Sequence, residues 1–142
     1  MKLKIKRLSE NAVIPKYAKP GDAALDITAT AVNATFQYVE YRTGLACEIP
    51  EGHVGLLFPR SSVTNTTMML KNSVGVIDSG YRGELTFRFY DTSQHSITSS
   101  RYKVGDRIGQ LIVIPIPNME IEEVTELSST ERGEGGYGSS GS

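Results

Sequence analysis

Apolar and polar residues alternate with period two in several short stretches of the 142-residue chain. Lys2-Leu3-Lys4-Ile5-Lys6, Leu25-Asp26-Ile27-Thr28-Ala29 and Leu85-Thr86-Phe87-Arg88-Phe89-Tyr90 each place their apolar side chains on one face, which predicts half-buried strands. Leu111-Ile112-Val113-Ile114 is a continuous, mostly β-branched run and reads as a strand buried on both faces. Pro20-Gly21-Asp22, Pro50-Glu51-Gly52, Asp78-Ser79-Gly80 and Gly105-Asp106 supply turns, because proline fixes φ and glycine accepts positive φ. The segment from Asn72 to Leu85 reads as a strand, a turn and a returning strand, with Asp78 and Tyr81 at one hairpin end. One helix is expected, from about Ser62 to Leu70, with a serine as its N-cap. The pattern is that of an all-β sandwich, jelly roll or barrel without internal repeats.

Hydrophobic residues make up 39% and charged residues 22% of the chain, the composition of a single domain with its own core. The last fifteen residues depart from it. Ser128 to Ser142 hold five glycines and five serines and build no core, so residues 1–127 form the expected domain and 128–142 a flexible arm. Arg132 and Tyr137 stand out there, and composition leaves a plain tail and a ligand-binding arm equally open. Fifteen Lys and Arg against sixteen Asp and Glu give a net charge of −1, which argues against duplex nucleic acid as a direct partner. Cys47 is the one cysteine, so no internal disulfide forms, and its surroundings suggest a buried, inert thiol. No run is long enough to span a bilayer, and the N-terminus lacks the apolar core of a signal peptide. A reducing, cytoplasmic setting is the expectation.

His53, His95 and Cys47 match no familiar zinc or Cys/His nucleophile spacing, and both histidines are expected at the surface. There is no nucleophile elbow and no Walker loop. Gly133-Glu134-Gly135-Gly136-Tyr137-Gly138 has the Gly-x-Gly-x-x-Gly spacing, but only four residues follow it, too few for the helix a dinucleotide fingerprint needs. Acids, arginines, serines and glycines remain. Arg60-Ser61-Ser62 precedes the expected helix, where an anion would be favoured, though an ordinary N-cap explains the serines as well. Asp78 is either a turn former or a base held near a water. Asp26 is either a solvent-facing strand residue or a carboxylate near a metal-bound polyphosphate. Gln110 enters an apolar run and needs a polar partner.

Five segments in order resemble the five motifs of the trimeric dUTP diphosphatase (dUTPase) family: Gly21 to Ile27, Pro59-Arg60-Ser61-Ser62, Asn72 to Leu85, Gly105 to Gln110, and Arg132 to Gly141. The resemblance implies a distorted jelly-roll β-barrel and a homotrimer, with each of three active sites completed by the C-terminal arm of another subunit. It implies hydrolysis of dUTP to dUMP and pyrophosphate, with Asp78 activating the water that attacks the α-phosphorus. Free carboxylates are weak bases, so most of the acceleration would come from positioning and charge stabilisation. By the same resemblance Mg²⁺ bridges the phosphates and Asp26 reaches it through water. Arg60, Ser61, Ser62 and Gln110 hold the phosphate chain and the attacking water, while Arg132, Ser139 and Ser140 close on the γ-phosphate beside Gly138. Asn72 and the backbone around Gly75 read uracil, Tyr81 packs under the sugar, and Tyr137 stacks on the base. Two departures are visible: Tyr137 where phenylalanine is commoner, and Pro59 in place of a glycine.

Two rivals share this ground. A dCTP deaminase of the same fold would carry a catalytic glutamate where this chain has Arg88. A nucleotide-controlled binding protein would keep the arm and dock a partner, with the polar stretch Thr92 to Arg101 as a docking loop or an ordinary surface turn.

Overall fold

In the computed structural model, which describes residues 1–95 and 100–136, ten strands form three antiparallel sheets. Strands β1 (Lys4–Arg7) and β5 (Leu45–Glu48) pair as a two-stranded ribbon. One four-stranded sheet has the order β2 (Leu25–Thr28), β10 (Arg107–Pro115), β6 (His53–Pro59), β8 (Gly75–Ile77). The other runs β3 (Ala31–Ala34), β4 (Val39–Arg42), β9 (Thr86–Asp91), β7 (Met68–Leu70). Their facing sides make the core: Ile27, Leu57 and Leu111 from the first sheet and Tyr41, Phe87 and Phe89 from the second are at most 3% exposed. The Tyr41 ring meets Phe89 edge-on, and its hydroxyl donates to the Tyr102 carbonyl at 2.9 Å, which satisfies the one polar atom it brings inside. This is the expected all-β jelly-roll architecture.

Alternation holds where it was read: Ile27 and Ala29 are buried on one face, as are Leu85, Phe87 and Phe89. The ribbon strand is displaced to Lys4–Arg7. Cys47 is buried and unpaired, and burial pushes its thiol pKa up against a smaller opposing effect of Arg82. His53 is half-buried, and the side chain of His95 lies outside the described residues.

Three expectations are corrected. The helix over 62–70 is a single 3-10 turn, Ser61–Asn65, followed by strand β7. Three threonines, a valine and an asparagine favour extended backbone there, and Arg60 rather than a serine occupies the cap position, without a side-chain cap. Asn72 to Leu85 is not a hairpin: β8 pairs with β6, while β9 lies in the other sheet. The chain turns the corner between sheets at residues 71–74, where Ser73 takes φ 61°, the left-handed region a serine enters at a cost. Nor is the β10 run buried on both faces. Leu111 is buried, but Ile114 is 39% exposed, left uncovered by the described residues on the outer side.

Candidate active site

The outer face of the β2-β10-β6-β8 sheet carries the chemistry. Gln110 pairs with Asp26 on one side and Phe58 on the other, so these three lie in one row across the sheet. The next outward row is Ile112, Leu56 and Val76, and beyond it Ile114 pairs with Val54. Polar groups thus stand at one end of a face whose middle is apolar. Val76 is 64% exposed there.

At the polar end, the Asp26 carboxylate bridges two guanidinium groups. Arg60 Nε donates to Oδ1 at 2.7 Å and Arg107 Nη1 to Oδ2 at 2.8 Å. Gln110 Nε2 donates to the Pro59 carbonyl at 3.0 Å, which supplies the partner its place in an apolar run required. Ser62 Oγ lies 3.1 Å from the Tyr102 hydroxyl, and Ser61 is exposed. Asp26, Arg60, Ser61, Ser62 and Gln110 therefore gather at one place.

Asp78 is not among them. It follows Ile77, whose partner on β6 is Gly55, so it leaves the sheet beside Val54, six residues from Arg60 along β6. At strand rise that separation is about 20 Å. Asp78 is exposed and accepts at its backbone carbonyl from the Tyr81 amide, closing a tight turn. The Tyr81 hydroxyl donates to the Glu84 carbonyl at 3.1 Å, and Arg82 Nη1 donates to the Ser79 and Tyr81 carbonyls, which stiffens the loop.

Asn72 is exposed at the sheet corner beside a cavity of about 390 Å³ that Lys71, Thr86 and Arg88 also line, and neither Asp26 nor Asp78 reaches it. Gly75 is buried, and a Cβ there would sit 3.1 Å from the Leu57 Cβ, so close packing also accounts for its glycine. Arg88 pairs with Glu40 at 2.6 Å and lies over the Tyr38 ring, a surface cluster on the second sheet. Arg132 is exposed and donates to the Gly135 carbonyl at 3.0 Å. Tyr137, Gly138, Ser139 and Ser140 lie outside the described residues.

A second ionic cluster had no signal in the motifs. Asp91 is 5% exposed and accepts from Arg101, from Thr67 Oγ1 at 2.8 Å and from the Ser93 amide at 2.9 Å. Burial by itself raises its pKa, but the hydrogen bonds from Ser93, Thr67 and Arg101 outweigh that and hold the carboxyl well below the usual carboxylate range. Arg101 is thus a structural partner, which takes one end of the Thr92 to Arg101 stretch away from docking.

The model of the dUTPase family matches residues 10–141. The chain belongs to the dUTPase family. A deoxyuridine 5′-triphosphate nucleotidohydrolase of Hydrogenobaculum sp. is 37% identical over 99% of both chains, and one from Picosynechococcus sp. is 38% identical with the same coverage. Among solved structures, the Staphylococcus bacteriophage 80alpha dUTPase with dUPNHPP superposes with a TM-score of 0.84 at 32% identity, covering 99% of each chain. With family membership shown and the curated relatives named as nucleotidohydrolases, the deaminase alternative loses its ground. Among the described residues no three His, Cys, Asp or Glu side chains cluster as a metal site, and no helix is long and apolar enough to cross a membrane. A single carboxylate, such as Asp26 beside the arginines, suits only an ion that arrives with phosphates, since Mg²⁺ keeps several waters and takes one or two carboxylates plus substrate oxygens.

Proposed function

We propose that this chain is a dUTP diphosphatase that hydrolyses dUTP to dUMP and pyrophosphate, limiting uracil in DNA and supplying dUMP for thymidylate synthesis. It works as a homotrimer whose active sites are each built from several subunits. One observation carries the reading: the phosphate-side cluster and Asp78 stand at opposite ends of one outward face whose apolar middle holds exposed Val76 and Ile114 and half-buried Leu56 and Ile112. Packing that apolar middle against copies of itself covers it and brings Asp78 of one subunit towards Arg60 of another.

In the assembled site Arg60, Ser61, Ser62 and Gln110 bind the phosphate chain from one subunit. Arg60 suits this because its planar fork donates paired, charge-assisted hydrogen bonds to phosphate oxygens. Asn72 and the backbone near Gly75 read the uracil edge. A cytosine reverses donor and acceptor there and leaves a buried group unpaired, at about 1–3 kcal/mol per group. Tyr81 packs against the sugar. Asp78 orients a water in line with the α-phosphorus and accepts its proton as the P–O bond to the leaving pyrophosphate breaks. The arm, residues 128–142, closes with Arg132, Ser139 and Ser140 on the γ-phosphate, Gly138 allowing close approach and Tyr137 over the base, and so excludes bulk water. Asp26 would hold Mg²⁺ arriving with the nucleotide, which would supply positive charge to offset that of the phosphates.

The test is pyrophosphate release from dUTP with Mg²⁺, beside dCTP, dTTP and UTP. Release from dUTP alone, abolished in Asp78→Asn while nucleotide still binds, is the expected outcome; an active Asp78→Asn enzyme would remove Asp78 from its role. The 80alpha relative controls transfer of virulence genes by a G protein-like mechanism. A nucleotide-controlled partner role is the second reading, and tight dUTP binding without any release would favour it.

A further inference from the structure

Strand β10 contains a break in its alternation that the motif pattern does not reveal. Arg107 pairs with Thr28 and Gly109 with Ile27, so two residues of β10 advance against one of β2, a β-bulge at Ile108. Ile108 is fully buried, and a side chain at Gly109 would strike the Phe87 ring, so two consecutive residues face the core. The extra residue turns Arg107 outward, onto the face that carries Asp26 and Gln110. Without the bulge, Arg107 would share the inward parity of Leu111 and meet the core.

We propose that Arg107 is a positioning residue for Asp26. It keeps that carboxylate paired when Arg60 leaves it for the phosphate chain, and the proposal rests on the reading of Arg60 as a phosphate ligand. The Asp26 side chain is 13% exposed, and each of its oxygens accepts from one arginine. Arg60 precedes the 3-10 turn Ser61–Asn65, whereas Arg107 is fixed by the bulge inside the sheet, so the two guanidinium groups stand on separate supports. Substrate phosphate competes with Asp26 for Arg60. If Asp26 had no second cation, that exchange would strand a largely buried carboxylate, the most costly state for such a group. With Arg107 in place, Asp26 stays ionised, ordered and ready for a water-shell contact.

The experiment is calorimetric binding of dUpNHpp to the intact protein, with and without Mg²⁺, and of deoxyuridine as a control lacking phosphate. Arg107→Met is expected to weaken dUpNHpp about ten-fold without Mg²⁺, the low end for a half-exposed charge-assisted bond. The loss shrinks with Mg²⁺, which brings its own positive charge to Asp26, and deoxyuridine binding stays unchanged. Arg107→Lys recovers part of the affinity, and in turnover KM rises while kcat holds. In an Asp26→Asn background, Arg107→Met changes nothing, because the group it serves is gone. Unchanged dUpNHpp affinity in Arg107→Met overturns the proposal, as does an equal loss in both backgrounds, which would make Arg107 a direct phosphate ligand. A wild-type protein that binds no dUpNHpp removes the phosphate-site reading itself, and the proposal with it. Should Arg107→Met not fold by circular dichroism, Arg107→Gln replaces it with the same expected results.

Discussion

Gly109 and Phe87 form a pair in which one residue's missing side chain is the other's space. A Cβ built on Gly109 falls inside the Phe87 ring edge, well within contact of Cε1 and Cζ and 3.0 Å from Cδ1. The ring cannot retreat easily, since it is 1% exposed and lies nearly parallel to Phe89 at a centroid distance of 6.3 Å. Overpacking a tight core by one methyl costs about 1–3 kcal/mol, and a rigid ring places Gly109→Ala at the upper end. Removing glycine from a strand returns about 0.5–1 kcal/mol, so a net loss of about 2 kcal/mol is expected. That lowers Tm by roughly 6 °C for a chain of this length. The assay is urea and thermal unfolding at one fixed subunit concentration, for Gly109→Ala, Phe87→Leu and the double variant. Phe87→Leu alone opens a cavity and destabilises by about 1–2 kcal/mol. In the double variant the new methyl enters that cavity, so the two losses fail to add by about 2 kcal/mol. A Gly109→Ala protein as stable as wild type, or strictly additive losses, would refute the packing argument. Because Gly109 lies between the bulge and Gln110, Gly109→Ala also displaces the phosphate-side residues, and KM for dUTP should rise with the loss of stability.

Val76→Glu introduces a charge into the middle of the apolar outer face; sedimentation should show folded monomers without dUTP turnover, whereas an intact, active trimer would place the subunit contact elsewhere. Asp91→Asn removes the buried negative charge that pairs with Arg101 and turns one acceptor oxygen into a donor, and should cost about 2 kcal/mol in urea unfolding at pH 7. Because the folded-state pKa of Asp91 is depressed, its contribution is complete above the unfolded carboxyl pKa and fades as pH falls towards the folded one. The gap between wild type and Asp91→Asn should therefore narrow by about 1 kcal/mol from pH 5 to pH 3. A constant gap would deny the shift.

The strand pattern was legible where one face is buried and the other wet, because period-two alternation records that asymmetry directly. Leu25 to Ala29 and Leu85 to Tyr90 show it. It failed where the missing information was tertiary. Threonine-rich 62–70 became a turn and a strand because β7 has β9 to pair with, a partner no local window contains. Asn72 to Leu85 looked like a hairpin because turn residues mark reversals without saying which sheet each arm joins. The outer side of β10 looked buried because its residues are apolar, yet Ile114 on that side is 39% exposed, and composition alone does not say which face packs against the chain's own core. The phosphate-side residues were legible as motif members, yet the Arg60–Asp26 ion pair and the role of Arg107 depend on register and on a bulge, which leave no compositional trace.

The central claim is that phosphate binding and water activation come to one site from different subunits. Its most direct measurement is dUTP turnover by mixed trimers of Asp78→Asn and Arg60→Ala subunits, each inactive alone, refolded together in equal amounts. If Asp78 and Arg60 meet across a subunit boundary, about a quarter of the sites receive both intact residues, and about a quarter of wild-type turnover returns. No recovery in verified mixed trimers would mean that both residues serve the same site from one chain, and the account of a shared active site would be wrong.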